Sequence, residues 1–262
     1  MTSLAHRIPL VALALSLSGC AAAEKLVSSA TGGGGSCNGP TPLTASGSVS
    51  GSTNGVSCKM PDGSKGNVYT FAPTQPTAVE LNLTSSGFTP YFGAWTSTGA
   101  LIGQTNTAPY RFRLFLGAGS YQFGVSAVSG DGSFTLSSAP VGQSGCSSGP
   151  GTSGSFADMG FATRGAVITG ALNSADCGGG GGRADGYTVG GATANSSWSF
   201  TVTLDRAANF EVYAGSQTLA VKSLNAAGTA TVTVTAPSPT DFRFFITGTP
   251  GTGAINYTVT VN

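Results

Sequence analysis

From Cys37 onward, apolar and polar residues alternate with period two along most of the chain. The clearest runs are Val79, Leu81, Leu83; Phe112, Leu114, Leu116; Tyr121, Phe123, Val125; Val202, Leu204; and Val232, Val234. In a strand, successive side chains point to opposite faces. These residues therefore line a buried face, and Glu80, Asn82, Arg113 and Thr203 face outward. No segment beyond the N-terminal apolar run carries a helical stripe. The runs are short and separated by Gly, Asn and Asp, the residues that tight turns select. The stretch from Gly117 to Leu136 predicts a hairpin: a strand at Tyr121–Val125, a turn at Gly130-Asp131-Gly132 and a closing strand at Ser133–Leu136.

The pattern then repeats. Tyr69 and Tyr187, Trp95 and Tyr213, and Leu101 and Leu219 are each 118 positions apart. Around them, Val79–Leu83 matches Phe200–Leu204, Phe112–Leu116 matches Ala230–Val234, and Ser133–Leu136 matches Asn256–Val259. A repeat this long means tandem domains, because solenoid units run about 20 to 50 residues. The predicted fold class is all-β, with two tandem antiparallel β-sandwich domains of about seven or eight strands each. The expected boundaries are 37–139 for the first domain, 140–154 for a Gly-, Ser- and Pro-rich linker, and 155–262 for the second. Ser155 to Gly170 leaves room for an extra first strand in the second domain.

Composition narrows the function classes. The formal net charge is +1, so no long-range field gathers phosphates, and nucleic acid is not an expected partner. The single histidine, His6, lies in a segment expected to be removed. The remaining chain then has no histidine to serve as a base or zinc ligand. No Gly-x-Ser-x-Gly elbow is present, and the run Gly178–Gly182 lacks the Gly-Lys-Ser/Thr of a phosphate loop. The expectation is a chain that is not an enzyme and carries no cofactor.

Residues 1–19 have a basic start at His6 and Arg7 and an apolar run from Ile8 to Leu17, too short to span a bilayer. They end in Leu17-Ser18-Gly19-Cys20, which resembles the lipobox of bacterial lipoproteins. That resemblance implies cleavage before Cys20, a diacylglycerol on its thiol and a fatty-acyl chain such as palmitate on its amine. Several chains on one residue give stable anchoring. The implied partner is a membrane and the implied address is the bacterial cell envelope. Ala21 in place of an aspartate favours the outer membrane, with the periplasmic or surface side left open. Residues 20–36 would be a lipidated, Gly-rich tether.

Five cysteines are an odd number for an exported chain. Assigning Cys20 to lipid leaves Cys37, Cys58, Cys146 and Cys177, which allow three connectivities. Cys37–Cys58 with Cys146–Cys177 is preferred, because each pair then lies at the start of one repeat. The four lack the close spacing of a metal site, so no metal is expected at them.

Several segments together resemble the bacterial pre-peptidase C-terminal (PPC) domain. They are Gly66-Asn-Val-Tyr-Thr-Phe71, Ser86-Gly-Phe-Thr-Pro90, Leu116-Gly-Ala-Gly-Ser-Tyr121 and Gly132-Ser-Phe-Thr135. That family is a β-sandwich appended to secreted peptidases and found in other exported proteins. The resemblance implies the sandwich fold for the first repeat over about 100 residues and, less closely, for the second. Thr89 stands where the family often has Asp, and the second repeat has Pro239-Thr-Asp-Phe242 in place of the Gly-Ser-Tyr turn. Calcium or collagen binding therefore does not carry over, and no peptidase segment is present.

Candidate ligand contacts are the aromatics Trp95, Trp198 and Tyr110, which could stack on sugar rings. Trp95 shares a strand face with Gly93 and Tyr91, while Phe92 and Ala94 take the other; the pattern leaves open which face is core, and core packing is the favoured reading for Trp95, since aromatics in strands mostly fill sandwich interiors. Tyr121, Phe134, Phe242 and Tyr257 are expected in the core. Asp176 and Asp185 flank the glycine run, but with only ten acidic residues in the chain a calcium site there is not expected. These features predict a lipid-anchored envelope protein that binds a glycan, matrix polymer or envelope protein. The alternative is a structural spacer or assembly subunit.

Overall fold

The computed structural model describes residues 40–56, 58–141, 157–173, 176, 183–237, 242–249 and 253–262. Every regular element among them is a strand. The first repeat supplies β1 (Thr41–Pro42), β2 (Gly47–Ser52), β3 (Asn67–Phe71), β4 (Thr77–Thr96), β5 (Leu101–Thr105), β6 (Arg111–Leu116) and β7 (Tyr121–Pro140). The second supplies β8 (Ala157–Ala162), β9 (Val167–Leu172), β10 (Arg183–Val189), β11 (Ser197–Leu204), β12 (Ala208–Ala214), β13 (Gln217–Leu224), β14 (Gly228–Thr235), β15 (Phe242–Gly248) and β16 (Ile255–Val261).

The two sets follow one pairing scheme. β3 lies antiparallel to β7 as β10 does to β15, with Tyr69 opposite Phe123 and Tyr187 opposite Phe244. β6 pairs with the first half of β4 as β14 pairs with β11. β5 flanks β4 as β13 flanks β12, and β2 flanks β7 as β9 flanks β16. Even the parallel pairs match, β1 beside β3 and β8 beside β10. Each repeat is a two-layer sandwich, as the alternation predicts.

The repeats differ at their corners. β4 and β7 each run 20 residues and serve both layers of the first sandwich. Val79–Ser86 pairs with the far half of β7, and Phe88–Thr96 with its near half. The hairpin turn expected at Gly130-Asp131-Gly132 is therefore not formed. The two halves of β7 pair with different strands, β3 and β2, so the chain bends between layers and does not reverse. Gly87 and Gly130, with φ of 87° and 74°, supply that bend where a side chain would be strained. In the second repeat the same corners are breaks, between β11 and β12 and between β15 and β16.

The sandwiches are joined through a shared layer. β8 pairs with β10 on one side and lies parallel to β6 on the other, Leu114 opposite Phe161 and Phe115 opposite Ala162. Neighbouring residues of β6 point to opposite faces: Phe112, Leu114 and Leu116 enter the first core and Phe115 the second. Phe115 meets Tyr187 edge-on at 5.2 Å. Reciprocally, Phe161 of β8 packs edge-on against Phe112 at 5.8 Å, and Ala162 enters the second core. The two cores thus lie on opposite faces of one continuous sheet. The predicted linker, 140–154, lies outside the described residues apart from 140 and 141.

Candidate functional site

The junction is built around the turn that follows β6, Gly117-Ala-Gly-Ser-Tyr121. Gly117 is buried, and a Cβ there would collide with the Arg164 carbonyl and lie 2.8–2.9 Å from the backbone of Gly165. Only glycine lets two backbones approach this closely. Thr163, 2% exposed, clips the approach. Its N–H donates to the Phe115 carbonyl at 2.9 Å, and its Oγ1 accepts the Gly117 N–H at 3.1 Å. The Tyr121 hydroxyl donates to the Gly117 carbonyl at 2.9 Å and lies 3.2 Å from Thr163 Oγ1. On the other flank, the Gly191 N–H donates to the Leu101 carbonyl at 3.0 Å, and Gly190 lies flat beneath Ile102.

Between these contacts the sandwiches enclose a cleft of about 380 Å³. One wall carries Thr96, Ser97, Thr98 and Ser120; the other carries Arg164, Thr193, Ser196 and Trp198. Trp198 sits edge-on to Phe242 at 6.1 Å in the second core, and its Nε1–H donates to Ser196 Oγ at 2.8 Å. The exposed Arg164 lays its guanidinium over the indole, 4.2 Å from the ring centroid, and donates an N–H to the Ser197 carbonyl at 2.7 Å. Such stacking contributes about 0.5–1 kcal/mol at an exposed site and fixes the plane of the fork. Among the described residues no carboxylate pairs with Arg164; the ion pairs there join Glu80 to Arg113 and Arg111. Among the described residues the lining contains hydroxyls, one cation, and no Asp, Glu, His or Cys. Chemically it can donate and accept hydrogen bonds and hold an anion.

The structure places both tryptophans as packed side chains, the reading the sequence favoured for Trp95 over an open stacking platform. Trp95 and Trp198 are each 2% exposed, so neither offers a free ring face. Phe92 and Ala94 belong to the first core, and Trp95 lies on the opposite face of β4. There it is covered by Met60 over Gly93 and Gly124, whose missing side chains leave room for the indole. A turn held by the Gly63 N–H to Met60 carbonyl bond, 2.9 Å, sets the methionine in place. Tyr110 is half-buried against the first core. Tyr121, Phe134, Phe242 and Tyr257 are all buried. Cys58 is not a free thiol. Cys20, Cys37, Cys146 and Cys177 lie outside the described residues.

Asp185 and Asp176 are buried, 3% and 6% exposed. Asp185 accepts a bond from the Tyr257 hydroxyl at 2.6 Å, and Tyr257 is 2.7 Å from the Tyr187 hydroxyl. Asp176 accepts the Asn173 N–H at 2.6 Å and its side-chain amide at 3.1 Å. Burial pushes the Asp185 carboxyl up to about 6; the Tyr257 bond opposes this and the nearby Asp176 charge adds to it. Burial raises Asp176 as well. Among the described residues no three His, Cys, Asp or Glu side chains come together as a metal site would need.

The missed feature is the cleft, and with it Arg164. It is made by docking two repeats, so no single stretch announces it. One signal was available: the repeats disagree where they meet. Gly117 and Phe115 of the first correspond to Thr235 and Thr233 of the second.

The fold and cleft define a class, an all-β tandem sandwich protein with an inter-domain cleft. No family model and no curated protein matches the chain. Among solved structures it is similar to the pre-peptidase C-terminal domain of a collagenase from Bacillus anthracis, at 14% identity and a TM-score of 0.32, covering 38% of this chain and 93% of that one. It is also similar to a putative secreted protein from Eubacterium rectale, at 10% identity and a TM-score of 0.23, covering 82% and 73%. A third likeness is the N-terminal CBM22-1-CBM22-2 tandem domain of Xyn10C from Paenibacillus barcinonensis, at 10% identity and a TM-score of 0.20, covering 74% and 81%. At these TM-scores none of them carries an argument about function.

Proposed function

We propose that this chain is a non-enzymatic, lipid-anchored protein of the bacterial envelope whose tandem sandwich binds a glycan. The observation that carries the reading is the inter-domain cleft, with short hydroxyls on both walls and a guanidinium set rigidly on Trp198. Walls carrying short hydroxyls, with no carboxylate among the described lining residues, suit a sugar, whose own hydroxyls need donors and acceptors. The lipobox supports the anchor at Cys20, and export supports the bridges Cys37–Cys58 and Cys146–Cys177.

The test is co-sedimentation of the chain from residue 20, carrying Cys20→Ser, with insoluble polysaccharides. Ala118, exposed at the cleft wall, offers a blocking variant. Saturable loss from the supernatant, abolished by Ala118→Trp, supports the cleft. Binding that survives Ala118→Trp refutes it as the site.

One observation favours a second reading, an assembly subunit. β14 ends the four-stranded layer β14–β11–β16–β9, and among the described residues no strand covers its outer edge. Its counterpart β6 receives β8 at that edge. An open edge is a template for another strand. Sedimentation velocity across a concentration series decides: a mass that stays monomeric sinks this reading.

A further inference from the structure

We infer that the cleft takes an acidic saccharide, with Arg164 holding the ligand's anionic group while the wall hydroxyls hold its sugar hydroxyls. This rests on the glycan-binding reading above and names the ligand class. Three observations converge on it. Arg164 lines the cleft and has no carboxylate partner among the described residues, so no internal anion neutralises its charge there. Of its five N–H donors, one goes to the Ser197 carbonyl. The indole of Trp198 covers one face of the guanidinium, and the Trp198 Nε1–H bond to Ser196 fixes the ring itself. The cation is therefore held in one plane before any ligand arrives, and the ordering cost of binding is lowered.

The rest of the lining says what carries the anion. Ser97 and Ser120 are exposed on the opposite wall, and Thr96 and Thr98 form a hydroxyl pair 2.9 Å apart beside them. Among the described residues no acidic side chain lines the cleft to repel an anion. One cation with hydroxyls around it matches one negative charge per sugar unit. A nucleotide or nucleic acid would need several cations, and the whole chain has a net charge of only +1. A planar carboxylate fits the guanidinium fork in two parallel bonds. A sulfate ester shares the charge and is the other source of the same chemistry.

The probes are oligogalacturonate for carboxylate, dextran sulfate for sulfate and dextran as the neutral control. Binding is measured by calorimetry on the chain from residue 20 carrying Cys20→Ser. Oligogalacturonate is expected to bind, to weaken with added salt, and to lose on the order of ten- to a hundredfold in affinity in Arg164→Gln. Arg164→Lys keeps the charge without the fork and should recover only part of the loss. Ala118→Trp blocks the space without touching the arginine, so the result does not depend on one variant folding; thermal melts of each check the fold. Dextran sulfate alone, with binding lost in Arg164→Gln, also supports the anion grip and moves its source to a sulfate ester. Acidic binding that is unchanged in Arg164→Gln overturns the inference. Dextran binding as tightly as the acidic probes, and lost in Ala118→Trp, overturns the inference but leaves the glycan-binding reading standing. No binding of any probe counts against both.

Discussion

The buried carboxyl of Asp185 should make this protein less stable as pH rises from about 4 to about 6. Its ordinary value is 3.8, and burial lifts it to about 6 in the folded chain. Between those values the folded state holds a proton that the unfolded state has released. Stability therefore falls with rising pH through that window and is flat above it. A shift of about 2 units corresponds to about 3 kcal/mol. Asp176, also raised by burial, acts in the same direction. Glu80 runs the other way. Despite its partial burial, Arg113 at 2.8 Å and Arg111 hold it below its usual value, so its contribution is lost only at more acid pH. Asp185→Asn keeps an acceptor for the Tyr257 hydroxyl and removes the titration. Urea unfolding of wild type and variant should be followed from about pH 4 to about pH 8. The variant should match wild type near pH 4 and exceed it above pH 6 by up to about 3 kcal/mol. If wild-type stability rises across the window, or the variant keeps the same slope, the reasoning fails.

Phe115→Ala should cost about 3–5 kcal/mol in chemical denaturation, because it empties the one side chain of β6 that enters the second core. A cost below about 1 kcal/mol would mean the junction is not packed as described. Thr163→Val leaves the buried Gly117 N–H without its acceptor and should cost about 1–3 kcal/mol by the same assay. Cys20→Ser should move the protein from the membrane fraction to the soluble one; continued membrane association after carbonate washing would refute the lipid anchor.

Much of the sandwich was legible because burial on one face writes period two into the sequence. Val79, Leu81 and Leu83 all fall in the first core as the pattern demands. The duplication was legible too, since Tyr69 and Tyr187 hold the same register opposite matched phenylalanines. What failed was anything that depends on where a strand goes after it leaves its pattern. Gly130-Asp131-Gly132 has the composition of a reversal, and local chemistry cannot tell a reversal from a corner between layers. Trp95 was ambiguous for a related reason. Both faces of its strand are buried, one by the core and one by Met60 arriving from a loop, so alternation had no solvent side to report. The cleft was hidden because Arg164 and Ser120 meet only through a parallel pairing of β6 with β8, across the predicted linker.

The disagreement between repeats yields one more expectation. Gly117 corresponds to Thr235, which ends a strand whose outer edge no strand covers among the described residues. If glycine is required by docking and not by the turn, Gly117→Thr should break the junction while sparing each sandwich. Its φ is not in the left-handed region, so backbone strain is not the cause. The obstacle is backbone, the Arg164 carbonyl and Gly165, which cannot rotate aside as a side chain would. Overpacking of this kind costs about 1–3 kcal/mol when the surroundings shift only slightly. Here the relief available is separation of the two domains, which also carries Arg164 away from the opposite wall. Calorimetry is expected to show one transition for the wild type and two for the variant, and acidic saccharide binding should weaken in parallel. Gly215→Ala is the control: it sits at φ 57° with nothing within 4 Å, so it tests turn strain without a clash. That variant should lower stability by about 1 kcal/mol and leave one transition. A Gly117→Thr protein that still melts in one transition at the wild-type temperature would show that the domains do not depend on this close approach.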